Sequence, residues 1–158
     1  MKLNKSTEQA VYVVLILALE LDHRPLKSTV LADILQVSDS YLKKILRKLV
    51  VGQVITSAAS KDGGFQLQRP INSISLADVY SAVQTEAPLT FEHIGARLFT
   101  DIDHVKAGEQ LIARTLEQAQ KNFVATLTEI SMAELLETYA IKNGAIAWED
   151  FRSNVAKK

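Results

Sequence analysis

The stretch "SDSYLKKILRKL", residues 38–49, decides the fold. Leu42, Ile45, Leu46 and Leu49 recur at i, i+3, i+4 and i+7, the spacing of a single buried stripe on a helix. Ser38 stands where an N-cap belongs, and Gly52 follows the last periodic residue as a helix stop should. With the stripe turned inward, the opposite side carries Ser40, Lys44 and Arg47, flanked by Tyr41, Lys43 and Lys48. Four cations on one exposed face, in a chain of formal net charge zero, raise the question of what they meet.

The flanking sequence supplies a context. Ser6 and Gln9 fit a capping box that opens a first helix over roughly residues 6–21, and "DHRP" ends it. Ser28 can cap a short second helix whose buried face is Leu31, Ile34 and Leu35, and "QV" makes a tight link to the cationic helix. Downstream the period changes. "VITS" (54–57) and "FQLQ" (65–68) are strand-like, joined by "AASKDGG", and predict a hairpin. Helix, short helix, tight turn, helix and hairpin, in that order, make a winged helix-turn-helix. Ser75 with Asp78 caps a further helix with a stripe of Leu76, Val79, Tyr80 and Val83.

The expected architecture is mainly α with a small β-hairpin. Residues 1–84 form the winged DNA-binding domain, and 85–108 a connector with a short helix near 90–99. Residues 109–158 hold a long helix and a tail. In that helix Ile112, Leu116, Ala119, Phe123 and Leu127 form a stripe narrow enough for pairing with another helix, here read as dimerisation. "SMAE" at 131 opens one more short helix. Trp148 and Phe151 are expected to pack on the body or on a partner subunit.

Charge is uneven along the chain. Residues 1–85 carry ten Lys/Arg against seven Asp/Glu, and residues 86–158 carry eight against eleven. Such a split suggests that the first half meets a polyanion. There is no cysteine, which removes disulfides, thiolate metal sites and cysteine nucleophiles. The longest apolar run, Val11 to Leu19, is far short of the ~20 residues a bilayer needs. No secretory signal follows it, so a cytoplasmic protein without a membrane segment is expected. His93, His104, Glu92, Asp101 and Asp103 cluster in the connector, but their spacing matches no strong metal motif, and neither metal nor cofactor is expected. No nucleophile constellation is present, and "KDGG" joins two strands where a phosphate loop would open a helix, so the chain does not read as an enzyme.

Three segments, "LADILQVSDSYLKKILRKLVVGQVITS", "GGFQLQRPINSISLADVYSAV" and the initial "MKL", resemble the Rrf-two (Rrf2) family of winged-helix transcriptional regulators. "SDSYL" is similar to the family's S-x-x-YL recognition motif, "GGFQLQRP" to its wing, and "ISLADVYSAV" to the helix that follows. The resemblance spans about residues 1–84, and beyond that it is one of layout. It implies a homodimeric DNA-binding repressor, with Ser38, Ser40, Tyr41 and Lys44 on bases or phosphates and Lys43, Arg47, Lys48 and Lys61 on phosphates. It also implies that Gly63 and Gly64 let the wing backbone approach closely. The best-known members hold an iron–sulfur cluster through three connector cysteines, which this chain lacks. The wing segment "SAASKD" offers Lys61 where an arginine is usual. Two further readings stay open: a winged-helix module that binds protein, discriminated by its exposed basic face, and a sensor of a small molecule or metal, which a pocket between the winged domain and the long helix would favour.

Overall fold

The structure, a computed structural model, describes residues 4–60, 63–84, 91–138 and 145–150. Helix α1 (Lys5–Leu19) lies at the centre, burying Ala10, Val13, Val14, Ile16 and Leu17. Its N-cap is Asn4, whose side-chain oxygen accepts from the Ser6 amide at 3.5 Å. The capping box expected on Ser6 and Gln9 does not form, because Asn4 starts the helix earlier. Gln9 Oε1 is left buried with no partner among the described residues. After α1 a single 3-10 turn, Leu21–His23, reverses the chain through two left-handed residues, Asp22 and His23.

Helix α2 (Ser28–Leu35) buries Val30, Leu31 and Ala32, while Ile34 and Leu35 are half-buried. Ser28 is its first helical residue and not its cap; Lys27 holds that position. The tight link is Gln36 in the left-handed conformation (φ 53°), its amide bonded to the carbonyls of Ala32 and Asp33. The Val37 amide closes the turn on Ala32 at 3.0 Å. Helix α3 (Asp39–Val51) then begins, and Leu42, Ile45, Leu46 and Leu49 are buried as the periodicity requires. Gly52 is its C-cap.

Strands β1 (Ile55–Ser57) and β2 (Phe65–Leu67) pair antiparallel, Ile55 opposite Leu67 and Ser57 opposite Phe65. Leu26 adds a rung on the other side of β2, exchanging both backbone bonds with Phe65 at 2.9 and 2.8 Å. The hairpin is thereby fixed to the segment between α1 and α2. Helix α4 (Leu76–Val83) opens with the capping box expected on Ser75 and Asp78.

Helix α5 (Gly95–Leu98) is a single turn, and α6 (Ile102–Thr128) runs for 27 residues. The long helix begins seven residues before the 109 expected from periodicity. Asp101 caps it by accepting the His104 amide at 3.0 Å, and the apolar Ile102 and Val105 of its first turn are followed by Lys106, Ala107 and Gly108, which do not continue a stripe. Helix α7 (Met132–Thr138) is capped by Ser131 and Glu134 as expected.

The chain after α6 returns to the winged body. Met132 is fully buried and its amide bonds Ile74 at 2.8 Å, while the Leu76 amide bonds Ile130 at 2.9 Å. Residues 145–150 dock on the end of α1. Ile146 exchanges backbone bonds with Leu19 and Leu21, and the Trp148 indole donates to the Ile16 carbonyl at 2.9 Å. Trp148 therefore packs on the body; Phe151 lies outside the described residues.

Asp78 ties three parts together. Its carboxylate accepts from the Ser75 amide at 2.8 Å and hydroxyl at 2.9 Å, and pairs with Arg69 at 2.7 Å. Burial pushes this carboxyl up, but the Ser75 bonds and the Arg69 guanidinium outweigh it and hold it below the usual range. A depressed carboxyl contributes stability above the unfolded pKa and loses it as pH falls through the folded value. Asp78→Asn should therefore cost about 1 kcal/mol at neutral pH. The deficit should begin to shrink below about pH 4, where the unfolded chain's carboxyl protonates, and vanish once pH falls through the lower folded value. Denaturant titrations at several pH values test this, and a deficit independent of pH would mean that the charge contributes nothing.

Candidate nucleic-acid interface

The buried stripe of α3 fixes what its other side presents. Ser40, Tyr41, Lys43, Lys44, Arg47 and Lys48 are all exposed, Tyr41 to 39%. Ser38 occupies the N-cap position, yet its side chain makes no cap bond. Its exposed hydroxyl remains available where a helix N-terminus favours an anion.

The four cations are not equivalent. Lys43 pairs with Asp39 at 2.7 Å, one helical turn back. The Lys43 ammonium, aided by the Ser28 hydroxyl, holds the Asp39 carboxyl below its ordinary value. Lys48 reaches sideways and donates to the Val83 carbonyl at the end of α4, at 2.8 Å. Lys44 and Arg47 have no hydrogen-bonding or ionic partner among the described residues. With Ser40 they fall on one line of the helix, at steps of four and three.

The wing places its glycines by packing. A Cβ on Gly64 would sit 2.6 Å from the Leu26 backbone, so the hairpin can join Leu26 only with glycine there. Gly63 is likewise crowded by the Ala58 carbonyl. Both positions are explained by folding within the subunit. Lys61 lies outside the described residues. Arg69, read from the sequence only as the end of the hairpin, clamps Gln53 and Ser73 carbonyls as well as Asp78.

The connector histidines are kept apart in role. His93, in the left-handed region, pairs its Nδ1 with Glu109 Oε2 at 2.7 Å. His104 is a residue of α6. Among the described residues no three His, Asp or Glu side chains gather as a metal site would require. Between α4 and α6 lies a cleft of about 380 Å3, bordered by Asp78, Ser81, Val124 and Thr128. Its carboxylate is already committed to Ser75 and Arg69.

The stripe on α6 divides. Phe123 meets Tyr80 of α4 edge to face, ring centres 5.2 Å apart, and Leu127 is half-buried beside it. Ala119 is exposed, and Ile112 and Leu116 stand 51% and 45% exposed, with Leu111 at 62%. The root of the helix is bound to its own body, and its middle is uncovered.

A helix-turn-helix backed by a wing, with a cationic outward face on its second helix, defines a DNA-binding transcriptional regulator. The family model described as "Rrf2: Iron-dependent Transcriptional regulator" matches residues 3–138, and the chain belongs to that family. YffB of Lactococcus lactis, named as an HTH-type transcriptional regulator, is 35% identical over 87% of this chain and 88% of its own. YwgB of Bacillus subtilis, named likewise, is 42% identical over 53% of this chain and 54% of its own. The fold is shared with T. potens IscR (TM-score 0.62, 19% identity, 94% of this chain and 96% of that one). It is also shared with a transcriptional regulator from Lactobacillus plantarum (TM-score 0.66, 22% identity, 86% and 90%). The chain has no cysteine to offer as a thiolate ligand. No helix among the described residues is long and apolar enough to cross a membrane.

The Lys48 bond to α4 leads to an expected outcome. Lys48→Met should lower the melting temperature by about 2–4 °C, the effect of losing about 1 kcal/mol in a chain of this length. The salt dependence of DNA binding should stay unchanged. A melting temperature equal to wild type, with a flatter salt dependence, would place Lys48 on a phosphate instead.

Proposed function

We propose that the chain is a homodimeric, cytoplasmic repressor that binds an inverted-repeat operator without an iron–sulfur cluster. The observation that carries this reading is the outward line Ser40–Lys44–Arg47 on a helix held rigidly by four buried aliphatic residues. Side chains near the start of a recognition helix reach base edges, so Ser38, Ser40 and Tyr41 read sequence. Lys44 and Arg47 hold the backbone. Lys43 joins them when a phosphate replaces Asp39, and Lys61 and the wing reach the flanking groove. The second copy is supported by Ile112 and Leu116 on α6, apolar side chains one turn apart on one face, with Leu111 beside them, that the other described residues do not cover. The cluster-free state is supported by the lack of thiolates. An operator occupied by such a dimer is closed to polymerase.

Selection from random duplexes should enrich an inverted repeat with half-sites about one helical turn, or a multiple, apart. If each subunit neutralises about three phosphates, the slope of log affinity against log salt is about −5 for the dimer. Lys44→Ala or Arg47→Ala should flatten it by about two, one contact per subunit. Ser40 and Tyr41 variants should change the preferred sequence. If nothing symmetric is enriched and the Lys43, Lys44, Arg47, Lys48 fourfold alanine variant binds as wild type does, the regulator reading gives way to a protein-docking module. In transcription from a promoter overlapping the operator, added protein should reduce the product; an increase would make it an activator.

Ile112→Glu with Leu116→Glu should yield monomers in sedimentation at micromolar concentration, with the melting temperature little changed because both sites are exposed. A wild-type monomer under those conditions would remove the dimer from this reading.

A further inference from the structure

The C-terminal half of α3 borders a groove that the helix-turn-helix alone does not account for. It has a volume of about 520 Å3 and lies between α3 and α4, with Lys44, Arg47 and Lys48 on one wall and Ser81 and Ala82 of α4 on the other. No carboxylate lines it. The nearest acidic residue of α4, Asp78, is one turn away and is already paired with Arg69. The helices close on each other at the groove's end. A Cβ on Gly52 would come within 2.6 Å of the Ala82 Cβ, so glycine is what allows the approach. Lys48 spans the two helices, its ammonium fixed on the Val83 carbonyl at 2.8 Å. One wall is thus cationic beside Val51, with Lys48 alone held by a bond, and the other is small and hydroxylated.

The line of exposed residues on α3 runs from Ser40 through Lys44 and Arg47 to Val51, and its last part is the groove. A duplex that meets Ser40 and Tyr41 with its base edges must carry its sugar–phosphate backbone across the later turns, about 10 Å further along the axis. We propose that the groove seats one backbone phosphate of the bound duplex, so that α4 forms part of the DNA interface beside the helix-turn-helix and the wing. This rests on the DNA-binding reading given above. Lys44 and Arg47 supply charge-assisted bonds to the phosphate oxygens, and the Ser81 hydroxyl donates from the α4 side. Lys48 is a positioning residue: bonded to the Val83 carbonyl, it fixes the α3–α4 separation. Phosphate contacts of this kind set register on the duplex and carry no sequence information.

Ser81 is exposed and lies on a helix, so charged side chains are tolerated there. Ser81→Lys and Ser81→Glu, in the full chain, are tested against the selected operator over a salt series, with melting temperatures measured in parallel. Ser81→Lys should tighten binding and steepen the salt slope by about one per subunit, because the new cation displaces a counterion only if it meets a phosphate. Ser81→Glu should weaken binding about tenfold per subunit at moderate salt, with the preferred sequence unchanged. If Lys44→Ala and Arg47→Ala weaken binding while Ser81→Lys leaves the slope at its wild-type value, the groove is not a phosphate seat although DNA binding stands. If none of these variants has an effect, the DNA-binding reading itself fails. Inorganic phosphate, titrated without DNA at constant ionic strength, is expected to leave the Ser81 amide resonance unmoved at micromolar concentration. Saturable shifts there would assign the groove to a free anion and overturn the proposal.

Discussion

One helix has to satisfy two environments at once, and the rest of the fold follows from that. The buried side of α3 contributes four aliphatic side chains, each worth on the order of 2 kcal/mol when removed from water. They can be buried only if α1 provides an apolar surface beneath them, which is why α1 is apolar over nine consecutive residues. Helices α2 and α4 lean on that same surface, and Leu26 carries the hairpin onto it through β2. The outward residues of α3 inherit their positions from this packing. Rotating α3 by one residue would expose about half the stripe, so the exposed line is as fixed as the core.

Counting cations on that line overstates what a polyanion would meet. Lys43 begins with a carboxylate partner one turn back, and an exposed pair of this type is weak enough for a phosphate to replace. Lys48 is spent on a carbonyl at the end of α4, where a cation also answers the negative end of the helix dipole. Lys44 and Arg47 have no such commitments among the described residues. Removing either should therefore leave stability unchanged, whereas removing Lys48 should lower it through the lost bond to Val83.

How much of this was legible depends on the range of the interaction. The α3 stripe, the hairpin, the Ser75–Asp78 box and the Ser131–Glu134 cap are local patterns, and sequence periodicity located each of them. The start of α6 is not legible because Ile102 and Val105 are followed by Lys106, Ala107 and Gly108 and start no continuing stripe, so only the Asp101 cap marks it. The tie from Lys48 to Val83 joins residues 35 apart and leaves no local signal. The same holds for Met132, which looks like part of a separate C-terminal region but completes the core of the winged body, whereas Trp148 packs on the body, one of the two places expected for it. At α2 the nearest serine suggested a cap, yet the helix includes Ser28 and turns its hydroxyl toward Asp39. The Asp39–Lys43 pair, by contrast, stands at i and i+4 and could have been read directly.

The attachment of α6 has a consequence for the proposed dimer. Its root is bound to the body by Phe123 on Tyr80 and by the backbone bonds that join residues 130 and 132 to residues 76 and 74. The uncovered residues Ile112 and Leu116 lie seven to eleven positions earlier, roughly 10–17 Å along the helix. If two copies cross there, the separation of their recognition helices is set by a rigid lever from crossing point to root. One helical turn of slippage, about 5.4 Å, is large against a half-site period of about 34 Å. Register along α6 must therefore be specified sharply, and bulky aliphatic side chains confined to two adjacent turns, with small or polar residues on either side, are what specify it.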